Sequence, residues 1–335
     1  MITAQQPDSL KSDIISEIYD YALPIVDNKI ISCFASSSPT IFEITNYLFK
    51  IGGKRFRPLL ILLSARLFGM QTPSDKIIIA CASIELIHMA TLLHDDIIDK
   101  SATRRGHESA YKKFGLPASL LAGDFLLVRA FGLSCYTLDE KLIKYTEKAC
   151  LSLTEGEELE GTITGDKWKS YEEYLDIIQK KTASLFSLAC ATGAYFAGAT
   201  EEQTKILEQF GQLLGTAFQI IDDILDILAD EKDFGKPLGT DLKQRTPSIV
   251  NILWLESGDL RAKEFFNCEQ PQTMQMIEET ILYLRNSNIV IRAKEIANQF
   301  AELAKTELDK LDEGIDFEVK QEFLRLLDKT LNRCA

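Results

Sequence analysis

The sequence predicts an all-α fold, a single large helical bundle filling residues 1–335 as one domain. Three observations predict the helices. No proline occurs between Pro117 and Pro237, apolar residues in that interval recur at three- and four-residue spacing, and no alternating strand pattern competes. A later stripe of Ala293, Ile296, Ala297, Phe300, Ala304, Leu308 and Leu311 lies opposite Glu and Lys residues and reads as a core-packing helix. Breaks are expected at Gly52-Gly53, Gly69 to Pro73, Lys113 to Pro117, Gly161 to Asp166, Gly198 to Thr200, Phe234 to Gly239 and Ser257-Gly258, leaving roughly ten to twelve helices. No repeat, low-complexity run or linker separates the halves, which is the ground for one domain.

The formal net charge of −13 excludes a nucleic-acid partner, because a polyanion is repelled by an acidic surface, so any anionic ligand has to be held by local basic clusters. Seven cysteines are scattered without CxxC spacing, as reduced packing residues of a cytoplasmic protein would be. The N-terminus lacks a basic start followed by an apolar run, so no signal peptide is expected. The longest apolar stretch, Ile77 to Leu93, is interrupted by Glu85 and His88, so no transmembrane segment is expected either.

Two acidic clusters carry the chemistry. Asp95-Asp96-Ile97-Ile98-Asp99 ends the apolar helix that begins near Ile77, and at about 100° per residue Asp95 and Asp99 fall roughly 40° apart on one face. Asp222-Asp223-Ile224-Leu225-Asp226 repeats the spacing inside the pattern from Glu201 to Asp230, with Gln219 and Asp230 extending the same face. Either cluster alone reads equally as a solvated helix face or a terminal cap. Both, however, sit in apolar runs where an unpaired carboxylate is costly, and hard oxygen ligands suit magnesium, whose shell is completed by water and phosphate. Two facing clusters of this kind would hold a diphosphate through bridging ions.

Basic residues flank them. His88 and Thr91 share the stripe that leads to Asp95; Gly52-Gly53-Lys54-Arg55-Phe56-Arg57-Pro58 puts cations before a helix expected to start at Pro58; and Arg104-Arg105-Gly106 follows the first cluster. Cations beside a glycine turn suit a second diphosphate bound without metal. Lys181-Thr182, in a helix from Tyr171 to about Ala197, and Lys236 are further candidates for phosphate contact. Any one of these reads alone as surface decoration or, for His88, as a core histidine.

The set GGKRFRP (52–58), LLHDDIIDKSATRRG (92–106), AGDFLLVRAF (122–131), KTASLF (181–186), FQIIDDILD (218–226) and GKPLGTDL (235–242) resembles the trans-isoprenyl diphosphate synthases, also called polyprenyl synthetases, in order and spacing. The resemblance implies a helical bundle of the isoprenoid synthase type with a deep central cavity, and a prenyltransferase that condenses isopentenyl diphosphate with an allylic diphosphate, as a homodimer with possible peripheral membrane contact for product release. It implies three magnesium ions on Asp95, Asp96, Asp99, Asp222, Asp223 and Asp226. It also implies an allylic site of Arg104, Lys181, Thr182, Gln219, Lys236 and Arg245, and an isopentenyl site of Lys54, Arg57, His88 and Arg105. Of these, Asp95, Asp99, Asp222 and Lys181 would be catalytic.

The pattern departs from the family in three places. Asp241-Leu242-Lys243-Gln244-Arg245 is one residue shorter than the Gly-Lys-bearing motif, with Arg245 standing in for that lysine, and Gly156-Glu157-Glu158-Leu159-Glu160 has an acid where the family has an amide. The match before Gly52 is faint. Product length in the family depends on the residues one turn before Asp95; here they are Ala90 and Thr91, neither bulky, which implies a long-chain product, hexaprenyl to nonaprenyl in length, such as a quinone tail. The alternatives are a short-chain farnesyl or geranylgeranyl synthase, and a non-catalytic partner subunit, which typically lacks an aspartate motif. A terpene cyclase would not carry GGKRFRP, RRG and a second DDxxD. A metal phosphohydrolase would need a well-separated histidine ligand upstream of His94.

Overall fold

The computed structural model describes residues 13–161, 168–229 and 238–334. In chain order the helices are α1 (Asp13–Glu17), α2 (Leu23–Ser32), α3 (Pro39–Lys50), α4 (Phe56–Leu67), α5 (Asp75–Ile98), α6 (Ala110–Phe114), α7 (Leu116–Tyr136), α8 (Glu140–Glu160) and α9 (Tyr171–Ile178). They continue as α10 (Ser184–Phe196), α11 (Glu201–Leu228), α12 (Thr240–Gln244), α13 (Ile249–Glu256), α14 (Leu260–Asn267), α15 (Met274–Arg285), α16 (Asn288–Asp309) and α17 (Phe317–Leu331). The fold is all-α, as expected. The described residues hold seventeen α-helices, more than the ten to twelve expected. Part of the excess is three five-residue segments, and part is two π turns, Ile18–Ala22 and Gln179–Ala183, which divide helices whose apolar pattern runs through them.

Sequence-local chemistry sets the helix starts. Ser74, Ser38 and Thr273 accept backbone N–H groups of Ile77, Ile41 and Met276, and Ser170 with Glu173 forms a reciprocal capping box. Helix α4 begins at Phe56 and not at Pro58. Proline is its third residue, where the missing N–H has no intrahelical partner to lose, and the turn before it is made by Arg55 in a left-handed conformation (φ 48°). Periodicity also missed a two-residue hairpin, Thr103–Arg104 against His107–Glu108. Its turn residues Arg105 (φ 51°) and Gly106 (φ 75°) are both left-handed, the geometry that closes tight hairpins.

The chain divides into two compact units. The first comprises Met1–Cys150, Leu185–Gly211 and Glu307–Leu326, the second Leu151–Ser184, Gln212–Thr306 and Leu327–Ala335. In the first, α5 is the central helix, packed by α2, α4 and α7 and buried nearly throughout from Ile77 to Leu93, because it is apolar all round. On length and composition alone α5 and α7 could each cross a membrane. Most of that α5 window is buried inside the protein, as in a core helix, whereas most of the α7 window is not. The second unit has its own core around Tyr174, Ile224, Trp254, Phe266, Ile281 and Ala297, with Trp254 in tilted or edge contact with Phe265, Phe266 and Tyr283. Residues 293–308 of the expected stripe follow α16, with Phe300 only partly buried, and Leu311 lies beyond the helix end. Cys33, Cys81 and Cys190 are buried as packing residues, but Cys135 is exposed.

Candidate active site

In the first unit the Gly52–Lys54 turn is held from three sides. Arg55 is 5% exposed, donates to Asp27 (2.8 Å) and Glu85 (3.2 Å), and lies over the Phe49 ring; Asp27 and Glu85 are each 3% exposed. The Tyr19 hydroxyl donates to the Lys54 carbonyl at 2.6 Å. This strut leaves the Lys54 side chain exposed, and it explains an acid in the middle of the apolar helix α5: Glu85 is the buried counter-ion of the turn. A Cβ at Gly53 would sit 2.9 Å from Arg105 Nη1 and 3.2 Å from Arg55 Nη1, so a side chain there would displace the Arg105 guanidinium.

Arg57 stacks over Phe186 at 5.2 Å, and its Nε is buried without a hydrogen-bond partner among the described residues. Burial brings its pKa down to about 10, with Arg105 pushing the same way and Glu85 and Asp95 opposing, so it stays cationic at neutral pH. His88, on the next element, is driven well below 6.5 by burial and then by Arg57, Arg105, Arg104 and Arg55, and is therefore neutral. Burial also lowers Arg105. Arg55 and Arg104 are paired with carboxylates, so the anion-seeking part of this cluster is Arg57, with its orphaned donor, together with Arg105. The field of Asp95 reaches Arg57, so this basic cluster adjoins the first acidic motif.

Within that motif the three aspartates differ. Asp96 is 1% exposed and accepts Arg104 Nε on both oxygens at 2.9 Å, with Nη2 at 2.7 Å. Asp95 is partly exposed and Asp99, the C-terminal cap of α5, is exposed. Ala90 is fully buried and Thr91 is half-buried with its hydroxyl donating to the His88 carbonyl.

In the second unit α11 carries the second motif, and its aspartates differ in the same way. Asp223 is buried and accepts from the Tyr174 hydroxyl (2.7 Å), Gln219 Nε2 (2.8 Å) and the Ile249 N–H (3.0 Å); desolvation nonetheless lifts its pKa to about 7. Asp226 is buried and accepts the N–H groups of Thr240 (3.1 Å) and Asp241 (3.0 Å), tying the 239–241 turn to α11. Asp222 is partly exposed and meets Arg333 Nη1 at 3.1 Å. Thr182 donates to Gln219 Oε1 (2.8 Å), which joins the π turn 179–183 to this network, and Lys181 Nζ lies 2.5 Å from Glu160 and 2.8 Å from Glu157. Arg245 caps α12 with left-handed geometry and donates to the carbonyls of Cys268 and, at 3.4 Å, Gln270, so the structure shows it supporting the 268–270 segment. Lys236 and Asp230 lie outside the described residues.

Among the described residues no group of three or more His, Cys, Asp or Glu is preassembled as a metal cage. The chemistry of the donors fits magnesium all the same. Asp95, Asp99 and Asp222 are hard oxygen donors that keep solvent access, and magnesium takes one or two carboxylates with water and substrate phosphate completing its shell. The spacing of the motifs shows in the sequence; which aspartate of each is walled in does not, because Arg104, Tyr174 and Ile249 come from elsewhere in the chain. Glu85 could have been found from sequence as an acid that needs a partner; Asp27, Tyr19, Tyr174 and Arg333 gave no signal.

Residues 38–284 match the polyprenyl synthetase family. An octaprenyl diphosphate synthase of Haemophilus influenzae is 33% identical over 332 residues, 98% of this chain and 99% of its own length. A geranylgeranyl diphosphate synthase of Sulfolobus acidocaldarius is 39% identical over 237 residues, 68% of this chain and 71% of its own. The crystal structure of a polyprenyl synthase from Caulobacter crescentus CB15, complexed with calcium and isoprenyl diphosphate, is 31% identical with a TM-score of 0.89, covering 98% of this chain and all of that one. The fold is therefore that of the all-α prenyl-chain synthases. The chain belongs to the polyprenyl synthetase family, whose members use magnesium with isopentenyl and allylic diphosphates.

Proposed function

We propose that this chain is a polyprenyl diphosphate synthase that joins isopentenyl diphosphate to an allylic diphosphate, head to tail, giving an all-trans product longer than geranylgeranyl diphosphate. The observation that carries the reading is the buried, unsatisfied Nε of Arg57, stacked over Phe186, with Arg104 of the adjoining RRG segment paired to Asp96: an anion site next to a metal-type acidic motif. The near full-length likeness to an octaprenyl synthase supports the long product, as do the small side chains at Ala90 and Thr91. The single family match runs through segments of both units, which supports one domain over 1–335.

Lys54, Arg57, His88 and Arg105 hold the isopentenyl diphosphate. Asp95, Asp99 and Asp222 would hold the magnesium ions, three as the family resemblance implies, while Asp96 orients Arg104, and Asp223 and Asp226 anchor Gln219 and the 239–241 turn. Arg104, Lys181, Thr182, Gln219 and Lys236 contact the allylic diphosphate. Bound magnesium supplies positive charge against the departing diphosphate. The cationic side chains add to it, and the allylic C–O bond breaks with its electron pair leaving on the diphosphate. The isopentenyl double bond, positioned by the grip on its own diphosphate, forms the new C–C bond; a proton then leaves for the released diphosphate. Water has to be kept from the cation for it to survive, and elongation repeats.

Exposed apolar residues along α7, Leu116, Leu120, Leu121 and Val128, support pairing with a second copy as a homodimer, which light scattering would measure. The reaction is tested by transfer of labelled isopentenyl diphosphate to farnesyl diphosphate. Transfer should require magnesium and fall by about a thousandfold, ~4 kcal/mol, in Asp95→Asn and Asp222→Asn. Cyclised hydrocarbon or free phosphate in place of a longer diphosphate would reject the reading.

A further inference from the structure

Lys181 sits in the π turn Gln179–Ala183, and helix α8 approaches that turn with no gap: a Cβ at Gly156 would lie 2.7 Å from the Lys181 backbone nitrogen and 2.9 Å from Lys180 Cβ. Glycine at 156 is what lets α8 come so near. The next residue, Glu157, and Glu160 about a turn further along α8 reach Lys181 Nζ at 2.8 and 2.5 Å, each only about a fifth exposed. Both carboxylates thus engage the Lys181 ammonium beside Thr182 and Gln219, which are hydrogen-bonded to each other at 2.8 Å. A lysine kept only to brace α8 would be satisfied by one carboxylate; the second takes up donor capacity of the ammonium that a diphosphate would otherwise use.

We infer that Glu160 is an affinity-setting residue of the allylic site: its carboxylate competes with diphosphate for Lys181, weakening the hold on both the allylic substrate and the inorganic diphosphate released after each condensation. The inference rests on the reading of Lys181 as a ligand of the allylic diphosphate. A synthase that adds several units must release inorganic diphosphate and reseat its lengthened product at the same cations each time, so a built-in competitor speeds release at the cost of affinity.

The test is Glu160→Gln, which keeps an oxygen to accept from Lys181 and removes the charge, compared with Lys181→Ala and with Glu158→Gln on the exposed side of the same helix. In Glu160→Gln the KM for farnesyl diphosphate and the inhibition constant of inorganic diphosphate should fall together, on the order of three- to tenfold for a partly screened charge. The KM for isopentenyl diphosphate and the denaturant midpoint should not move. Glu158→Gln should behave as wild type, and Lys181→Ala should raise the KM for farnesyl diphosphate. If Glu160→Gln leaves both constants unchanged or raises them while Lys181→Ala weakens the primer, the inference is overturned and the site reading stands. If Lys181→Ala leaves the primer unaffected as well, the reading of Lys181 fails with it.

Discussion

Arg55 offers the sharpest energetic test, because its role was invisible in the sequence and its surroundings fix the magnitude. It donates to Asp27 and Glu85 at 2.8 and 3.2 Å in a site where all three side chains are 5% exposed or less. Arg55→Met keeps most of the volume and strands two buried carboxylates. Removing one partner of a buried ion pair costs about 3–5 kcal/mol. The stranded acids would respond by taking up protons, raising their folded-state pKa values above those of the unfolded chain. Such a shift makes the defect small at low pH and larger as pH rises through the folded values. Urea unfolding of Arg55→Met should therefore show a loss of about 3–5 kcal/mol at pH ~7 that shrinks at pH ~5. Adding Asp27→Asn and Glu85→Gln should return much of it, since an apolar or neutral set is tolerated where a broken pair is not. Since the same strut holds the Gly53–Lys54 turn, the KM for isopentenyl diphosphate should rise as well. A loss below about 1 kcal/mol, or one equal at both pH values, would refute the buried-strut reasoning.

Three further outcomes follow from the site. Ala90→Phe should shorten the product, at an overpacking cost of about 1–3 kcal/mol because Ala90 is fully buried; Thr91→Phe, half-buried, should shorten it at lower cost, and reversed-phase chromatography of the alcohols reads both. His88 is held neutral by burial and by Arg57, Arg105, Arg104 and Arg55, so below pH 6.5 the unfolded chain takes a proton the folded one refuses. Stability present above that pH should decline on acidification by up to about 1.4 kcal/mol per pH unit, and His88→Gln should flatten the decline in urea titrations. Gly156→Ala puts a methyl 2.7 Å from the Lys181 backbone nitrogen, which cannot swing aside. It should cost about 1–3 kcal/mol in denaturant unfolding and raise the KM for the allylic primer, with no change for isopentenyl diphosphate.

The helices were legible because long amphipathic or wholly apolar runs declare themselves, as along α5 and α16. The hairpin at 103–108 was not, because two residues per strand carry no period and only the Arg105-Gly106 turn marks it. The π turns were hidden for the same reason: the apolar pattern from Tyr171 to Phe196 continues across 179–183. The acidic motifs were plain as spacings, yet six aspartates of equal appearance separate into Asp95, Asp99 and Asp222, which keep solvent access, and Asp96, Asp223 and Asp226, which are walled in. That division depends on partners distant in sequence, Arg104 at the hairpin, Tyr174 on α9 and the Ile249 N–H, and no local pattern encodes them. Arg245 was read by analogy of position, and its guanidinium is instead hydrogen-bonded to carbonyls of the 268–270 segment.

The most direct measurement is the length of what the protein makes from farnesyl diphosphate, isopentenyl diphosphate and magnesium. Dephosphorylated and separated by chromatography, the products should include alcohols longer than geranylgeraniol, in the hexaprenol to nonaprenol range. Alcohols no longer than geranylgeraniol would contradict the long-chain assignment, and recovery of the primer alone would contradict condensation itself.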